Sequence, residues 1–124
     1  MRFFENESTE NYLETILRLS KKLPSVRSID IANELDYAKP SISVAMKKLK
    51  NKNHITVTDS GFIYLTDSGR EIAEMIYERH QVLLNLLVHL GVPEDIAEED
   101  ACRMEHVISQ ESFEAFKKLQ NKEN

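Results

Sequence analysis

The stretch SIDIANELDYAKPSISVAMKKLKN, Ser28 to Asn51, contains two short helical patterns separated by a tight break. The spacing of its apolar residues predicts helices over residues 28–35 and 39–51, with Ser28 as the N-cap of the first. Pro40 falls in the first turn of the second helix, where its missing N–H costs nothing. Two short helices joined by a tight turn form the helix-turn-helix pattern. The side chains expected to be buried are Ile29, Ala32, Leu35, Ile42, Ala45, Met46 and Leu49.

The outer face of the second helix in this pair is basic. Residues 39–52 contain five lysines and no Asp or Glu, so their local charge is +5, whereas the whole chain has a net charge of −5. Lysines can neutralise phosphates, and short hydroxyl side chains can approach phosphates or base edges. The alternative is a solvated lysine face with no ligand. The candidate DNA-binding residues are Ser28, Lys39, Pro40, Ser41, Ser43, Val44, Lys47 and Lys48.

Two β-rich runs follow the basic helix. They occupy residues 55–58 and 62–65 and flank the turn Asp-Ser-Gly, which predicts a hairpin. A hairpin directly after a recognition helix is the wing of a winged helix-turn-helix, and its presence favours DNA binding over a solvated lysine face. An N-terminal helix over residues 7–22, capped by Ser8 or Thr9, belongs to the same predicted DNA-binding domain, residues 1–70.

Three further helices are predicted after the hairpin, over residues 67–90, 94–109 and 110–120, with residues 121–124 frayed. The first of them carries more apolar surface than a small winged helix needs, so a later helix or another subunit should cover the surplus. The predicted fold is therefore mostly α: an N-terminal winged helix-turn-helix with a two-stranded wing, followed by a helical domain over residues 71–124.

Three chemically different metal ligands lie close together near the end of the chain. Cys102, Glu105 and His106 have the spacings i, i+3 and i+4, which places them on one face of the helix predicted over residues 94–109. A thiolate, a carboxylate and an imidazole together suit a first-row transition metal better than Ca²⁺ or Mg²⁺. Taken singly, a cysteine is most often a small buried apolar residue, and a histidine is most often satisfied within the core.

The composition excludes several classes of protein. The chain is 41% hydrophobic and 30% charged, which is typical of a globular rather than a disordered protein. The longest apolar run is too short to cross a bilayer, and no signal-peptide core follows the first residues, so we expect a cytoplasmic protein without a membrane partner. A single cysteine excludes an intrachain disulfide and a CxxC-type zinc site.

An enzyme is the second class of function to weigh. Cys102 and His106 could act as nucleophile and base, and the acidic helix could hold a catalytic metal. Neither interpretation explains the wing or the basic helix, and the sequence shows no Gly-rich loop and no second catalytic lobe. We therefore expect that the protein is not an enzyme.

The chain resembles a known family over nearly its whole length. The resemblance runs from Asn-Tyr-Leu-Glu at residues 11–14 through Ser41, the wing and Glu-Arg-His at residues 78–80 to Cys-Arg-Met-Glu-His-Val-Ile-Ser at residues 102–109. These motifs together are similar to the diphtheria-toxin-repressor and manganese-transport-regulator family of metal-dependent transcriptional repressors. The length agrees with the short, manganese-regulator-like form, which lacks the SH3-like domain of the long iron-regulator form.

The resemblance implies a homodimeric repressor of metal-homeostasis genes, with metal as the corepressor and a palindromic operator as the DNA partner. It also implies five ligand matches. Glu14 matches a carboxylate ligand of the manganese type, and His80 matches a histidine found in both types. Cys102 matches the iron type, where the manganese type has Glu, whereas Glu105 and His106 match both.

Two positions depart from the family pattern. Asn11 stands where the iron type has Met and the manganese type has Asp. Glu98 stands where the iron type has a histidine of a second, ancillary site, and Leu84 where that site has a carboxylate. The full set of candidate metal residues is Asn11, Glu14, His80, Glu98, Cys102, Glu105 and His106.

Replacing a carboxylate by a thiolate softens the site, which favours Fe²⁺ over Mn²⁺. Other divalent transition metals, such as Zn²⁺ and Cu²⁺, are expected to bind the same ligands in vitro. The alternative is a winged-helix repressor that responds to a small organic effector and binds no metal. The candidate homodimer residues, which could instead simply close the intrachain core, are Val107, Ile108, Phe113, Phe116 and Leu119.

Overall fold

The computed structural model describes the backbone of residues 5–123 and the side chains of residues 8–122. Within this part of the chain, the helices and strands are α1 Glu5–Lys22, α2 Ser28–Leu35, α3 Lys39–Asn51, β1 Ile55–Val57, β2 Ile63–Leu65, α4 Asp67–His89, α5 Glu94–Met104 and α6 Gln110–Glu123. The predicted mostly α fold with a two-stranded wing is confirmed. The chain forms two compact units, the first ending at Glu74 and the second beginning at Met75.

The core of the first unit includes the apolar faces of α1, α2 and α3 and of the wing. α2 packs against α1 and α3, α3 packs against β1, and α1 packs against β2. The prediction that Ile29 is buried is wrong, because its side chain is 36% exposed. Ile31 occupies the inner face of α2 instead, and residues two apart in a helix point about 200° away from each other. The buried apolar side chains of these elements include Leu13, Ile16, Leu17, Ile31, Ile42, Met46, Leu49, Ile55 and Ile63.

The predicted caps of the first two helices are wrong. Ser8 and Thr9 lie inside α1, which already includes Glu5. Ser28 is the first residue of α2, and the N-cap is Arg27 in an extended conformation. The backbone N–H of Arg27 donates to the Asp30 carboxylate at 2.9 Å, so an acidic side chain of the first turn satisfies this end of the helix.

The wing is an antiparallel pair of strands whose register aligns Ile55 with Leu65 and Val57 with Ile63. Each strand is one residue shorter than predicted. The Thr58 N–H still donates to the Phe62 carbonyl at 2.9 Å, but the Phe62 N–H donates to the Thr58 hydroxyl at 3.0 Å instead of returning to the Thr58 carbonyl. That carbonyl accepts the Gly61 N–H at 2.9 Å, so the turn begins at Thr58. The Ile63 N–H also donates to the Val26 carbonyl at 2.8 Å, which ties the wing to the segment before α2.

The start of α4 lies directly against the turn between α3 and the wing. The Thr66 hydroxyl donates to the Asn53 carbonyl at 2.7 Å, and the Ser68 hydroxyl donates to the same carbonyl at 3.2 Å. Gly69 is buried here, and a Cβ atom built on it would lie only 2.0 Å from the backbone oxygen of His54. The close approach of these two backbone segments therefore requires glycine at position 69.

Replacing Gly69 with Ala is expected to lower the free energy of unfolding by about 1–3 kcal/mol, the usual cost of overpacking. Alanine would favour the helix by at most about 1 kcal/mol, so the clash with the His54 backbone should prevail. Urea titration measures the difference. The control is Glu71→Ala at an exposed position of α4, which should stay within about 0.5 kcal/mol of wild type. A Gly69→Ala variant as stable as wild type would contradict this packing.

The second unit contains the rest of α4 together with α5 and α6. Its apolar core includes Val82, Leu86 and Phe113, with Ile108 packed against them. Phe113 therefore closes the intrachain core, whereas Val107, Phe116 and Leu119 are exposed. No helix in the described part of the chain is long and apolar enough to span a membrane.

α5 is shorter than predicted and α6 is longer. α5 ends at Met104 rather than at Ser109, and the chain continues as a turn in which the Val107 N–H donates to the Met104 carbonyl three residues back at 3.1 Å, a tighter spacing than that of the α-helix. The Ser109 hydroxyl accepts the Ser112 N–H at 3.1 Å at the start of α6. The helix continues to Glu123, so the prediction that residues 121–124 are frayed is wrong for the described residues 121–123.

Candidate functional site

A histidine and a carboxylate lie fully buried side by side in the second unit. His80 on α4 is 1% exposed, and Glu105, the first residue after α5, is 0% exposed. The His80 Nδ1 atom lies 3.5 Å from Glu105 Oε1, and His80 Nε2 lies 2.9 Å from Glu98 Oε1 on α5. Both ring nitrogens of one imidazole therefore face carboxylate oxygens.

The thiol of Cys102 completes a group of donors that fits a metal ion. One ligand atom each from His80, Cys102 and Glu105 lies within 4.8 Å of the others. Donors that share one transition-metal ion at about 2.0–2.3 Å lie roughly 3–4 Å from one another, so small side-chain shifts would close the group around an ion. A buried carboxylate needs a compensating charge, which a cation would supply.

His106 lies beside this group. Its Nε2 atom is 3.8 Å from Glu105 Oε1, and its side chain is 9% exposed. The expectation that Cys102, Glu105 and His106 project from one face of a continuous helix is wrong, because α5 ends before Glu105. Cys102 remains on the helix and is exposed, whereas Glu105 lies at the C-cap and is buried. Glu105 still keeps helical backbone geometry, because its N–H donates to the Ala101 carbonyl at 3.0 Å, whereas His106 lies in the turn that follows.

The remaining two candidate metal residues lie on α1 in the first unit. Glu14 is buried, and its carboxylate accepts hydrogen bonds from Arg18 Nη2 at 2.7 Å and Arg18 Nε at 3.1 Å. Asn11 is half-buried, and its backbone carbonyl accepts the Thr15 hydroxyl at 2.8 Å. The five candidate ligands of the second unit therefore lie close together. Asn11 and Glu14 lie about one helical turn apart on α1.

The turn that carries Glu105 and His106 is held by an arginine that the sequence interpretation did not assign to the site. Arg79 is buried, and its Nη1 atom donates to the backbone carbonyls of Glu105 at 3.2 Å and Ile108 at 2.9 Å. Its Nη2 atom donates to Gln110 Oε1 at 3.0 Å. The only sequence signal is the position of Arg79 next to His80, which does not reveal its partners 26 to 31 residues away.

The candidate DNA-binding residues of α3 are on the surface of the first unit. The exposed side chains are Lys39, Pro40, Ser41, Ser43, Val44, Lys47 and Lys48. Val44 is 58% exposed, which leaves its side chain accessible to a partner. Ser28 at the start of α2 is half-buried. The outer face of α3 is therefore both basic and open.

A recess of about 280 Å³ borders this basic face. Burial and, second, the neighbouring Tyr37 raise the pKa of Tyr12 above its ordinary value of 10.0, so its phenol stays neutral at physiological pH. The recess therefore combines neutral hydroxyl groups with lysine ammonium groups, which can donate hydrogen bonds to phosphate oxygens. Its lining residues are Ser8, Thr9, Tyr12, Ser41, Val44, Ala45, Lys48, Leu49 and Lys52.

The second unit has an apolar groove of about 140 Å³ between α4, α5 and α6. Leu90, Phe116 and Leu119 at this groove are exposed large apolar side chains. The other lining residues are Leu83, Leu86, Leu87 and Met104. Exposed apolar surface of this kind typically marks an interaction site.

A winged helix with an open basic recognition helix defines a DNA-binding protein. The following helical unit carries a buried imidazole–carboxylate pair beside an exposed thiol, which is typical of a regulator whose second unit holds a ligand site. Two family models match the chain accordingly. "Iron dependent repressor, N-terminal DNA binding domain" matches residues 6–60, and "Iron dependent repressor, metal binding and dimerisation domain" matches residues 66–122.

Individual relatives agree with these matches. The transcriptional regulator MntR of Escherichia coli O157:H7 is 33% identical over 111 residues, covering 90% of this chain and 72% of the relative. The iron-dependent repressor IdeR of Mycobacterium tuberculosis (strain H37Rv) is 29% identical over 116 residues, covering 93% of this chain and 50% of IdeR. The chain therefore belongs to the iron-dependent repressor family of metal-dependent transcriptional regulators.

A solved structure shows the same fold. The manganese regulator SloR superposes with a TM-score of 0.79 at 27% sequence identity, over 91% of this chain and 53% of SloR. The chain thus spans about half the length of SloR and of IdeR.

Proposed function

We propose that the protein is a homodimeric transcriptional repressor that binds a palindromic operator when a divalent transition metal occupies the second unit. Residues 1–70 would bind DNA, and residues 71–124 would bind metal and form the dimer. The observation that carries the proposal is the buried pair of His80 and Glu105 beside the thiol of Cys102, in a chain whose other unit exposes a basic recognition helix. Family membership supports the same assignment.

The proposed metal ligands in the second unit are His80, Cys102, Glu105 and His106, with Glu98 as a further carboxylate. When bound, a divalent cation would neutralise the carboxylates and link side chains from different elements. His80 would have to present a neutral ring nitrogen, and Cys102 a thiolate, so binding would release protons. Asn11 and Glu14 of α1 are proposed as additional ligands, which would let metal binding bias the placement of the DNA-binding domain.

The proposed DNA contacts are of two kinds, those to phosphates and those to base edges. Lys39, Lys47 and Lys48 would neutralise phosphates, which positions the helix without reading sequence. Ser41, Ser43 and Val44, near the N-terminal end of α3, are short enough to approach base edges. Pro40 would fix the first turn of α3, and Ser28 would contact the backbone from α2. The apolar groove of the second unit is proposed as part of the dimer interface, because two recognition helices read enough bases for useful specificity.

The experiment that tests this function is anaerobic titration of a fluorescent palindromic DNA, selected from genomic fragments, with Fe²⁺ and separately with Mn²⁺. A chelator-treated sample is the control. We expect DNA binding to appear with metal and to be lost in chelator. Full DNA binding in chelator would overturn the corepressor function and favour a repressor that responds to a small organic effector.

The same titration addresses the choice of metal. We propose Fe²⁺ as the preferred metal over Mn²⁺, because the Cys102 thiolate softens the donor set. Cys102→Glu should then shift the response toward Mn²⁺, while its metal-free thermal stability stays close to wild type because position 102 is exposed. An unchanged Fe²⁺ to Mn²⁺ ratio in this variant would contradict a role for Cys102 in selectivity.

A further inference from the structure

We propose that Arg79 is a positioning residue for the metal site: it fixes the turn after α5 and thereby sets where the Glu105 carboxylate and the His106 ring lie. This inference rests on the proposed function, because it assigns a role relative to the proposed metal ligands. It differs from that function in naming a residue that offers no electron pair to a metal.

The end of α5 creates the need for such a residue. The last carbonyls of a helix have no partners within the helix, and they carry the negative end of the helix dipole. A buried guanidinium suits this place because it is a permanent cation with several N–H donors in a rigid planar arrangement. Arg79 Nη1 donates to the carbonyl of Glu105, the C-cap residue, and to the carbonyl of Ile108 at the far side of the turn.

A single nitrogen atom, Arg79 Nη1, therefore contacts the backbone at both ends of the turn. Glu105 and Ile108 flank His106, so the two carbonyl contacts bracket the segment that carries both proposed ligands. Because both contacts are to backbone atoms, they fix the path of the chain rather than one side chain. A ligand constellation must be held within about 0.5 Å of its productive geometry, and a free turn would not meet that requirement.

Two further contacts fix the arginine itself. Arg79 Nη2 donates to Gln110 Oε1 at 3.0 Å, and Gln110 Nε2 donates to Glu114 Oε1 at 2.8 Å, so Glu114 keeps the amide oxygen of Gln110 turned toward the arginine. The guanidinium also lies over the Phe113 ring, with its central carbon 5.5 Å from the ring centroid. Residues of α6 therefore fix the side chain of Arg79, and Arg79 in turn fixes the turn that precedes α6.

The test compares Arg79→Lys and Arg79→Met with wild type in the full chain. Lysine keeps the charge but offers a single ammonium group, which cannot reproduce the planar contacts to three acceptors. The matched control is Arg103→Met, which removes an exposed arginine of the same unit whose Nη2 atom pairs with Glu99 at 2.7 Å. A second variant for comparison, Glu114→Ala, removes only the hydrogen bond that Gln110 Nε2 donates to Glu114.

Two readouts separate positioning from general stability. Mn²⁺ affinity is measured by competition with a chelator, and the visible and near-ultraviolet spectrum of the Co²⁺-loaded protein reports ligand geometry and thiolate bonding. We expect both Arg79 variants to bind Mn²⁺ about 10–100-fold more weakly, the range typical for residues that orient ligands. Their Co²⁺ spectra should change as well, whereas Arg103→Met should match wild type in both measurements. Glu114→Ala should weaken Mn²⁺ binding less than either Arg79 variant, because it leaves both carbonyl contacts of Arg79 in place.

The outcomes distinguish this inference from the proposed function. Wild-type protein that binds neither metal overturns both. The role of Arg79 is overturned, and the proposed function is not, if the wild-type protein binds metal and the Arg79 variants bind it within twofold of the wild-type affinity and show the wild-type Co²⁺ spectrum. If Arg79→Met fails to fold, Arg79→Lys decides, with thermal unfolding of the metal-free protein as the check of its fold.

Discussion

Replacing Glu105 with Gln is expected to weaken binding of Fe²⁺ or Mn²⁺ at least about 100-fold. Substitutions that only disturb the orientation of ligands cost 10–100-fold, so loss of a ligand should cost at least the upper end of that range. Gln keeps the size of Glu but removes the negative charge that attracts a cation. Glu105 is fully buried beside His80, so no water-exposed carboxylate can take over its position without rearrangement.

The loss should also appear as a change in thermal stabilisation. At a metal concentration 1,000 times the dissociation constant, binding stabilises a protein by about 4 kcal/mol, and a 100-fold loss of affinity reduces this to about 1.4 kcal/mol. The measurement is the shift of Tm on adding Mn²⁺, with chelator competition for the affinity. Glu99→Gln on α5 is the control, because Glu99 is exposed and pairs with Arg103. Equal Tm shifts in both variants would exclude Glu105 as a ligand.

Replacing Lys47 and Lys48 together with Ala is expected to weaken operator binding at least about 100-fold at physiological salt. Each lysine that neutralises a phosphate contributes about 0.9 to the slope of the logarithm of affinity against the logarithm of salt. Two lysines on each of two subunits therefore contribute about 3.6 to that slope. Both side chains are exposed on α3, so their loss should leave the fold unchanged.

The control for this pair is Lys118→Ala with Lys122→Ala on α6. These lysines are also exposed, and removing them changes the net charge of the chain by the same amount. Fluorescence anisotropy at several salt concentrations gives both affinity and slope. We expect the α6 variant to bind almost like wild type. If both variants lost affinity equally, the effect would come from total charge rather than from a phosphate contact by α3.

The sequence predicted the first unit well, because its signals are local. The break after Leu35 and Pro40 in the first turn of α3 define the helix-turn-helix without reference to any distant residue. The caps were harder to predict. Arg27 has no side chain typical of an N-cap, and Asp30 satisfies the helix end from inside the first turn.

The end of α5 could not be predicted from periodicity. Residues 105–109 contain no glycine or proline, so the local pattern favours continuation of the helix. The chain instead turns where Arg79 supplies donors from α4, and that contact spans 26 to 29 residues of sequence. The chemistry of Cys102, Glu105 and His106 was therefore visible in the sequence, whereas the path of the chain from Glu105 to Ile108 includes tertiary hydrogen bonds that it does not reveal.

The lysine face of α3 has a consequence for how such a protein would search a genome. The chain is net negative, but residues 39–52 carry five positive charges. Salt screens charges beyond about 10 Å, so at a distance the protein and DNA would hardly attract each other. Attraction would set in only when α3 itself approaches the duplex. Molecules that meet DNA with any other surface would be released quickly, so little of the repressor would be sequestered on the many competing sites of a chromosome.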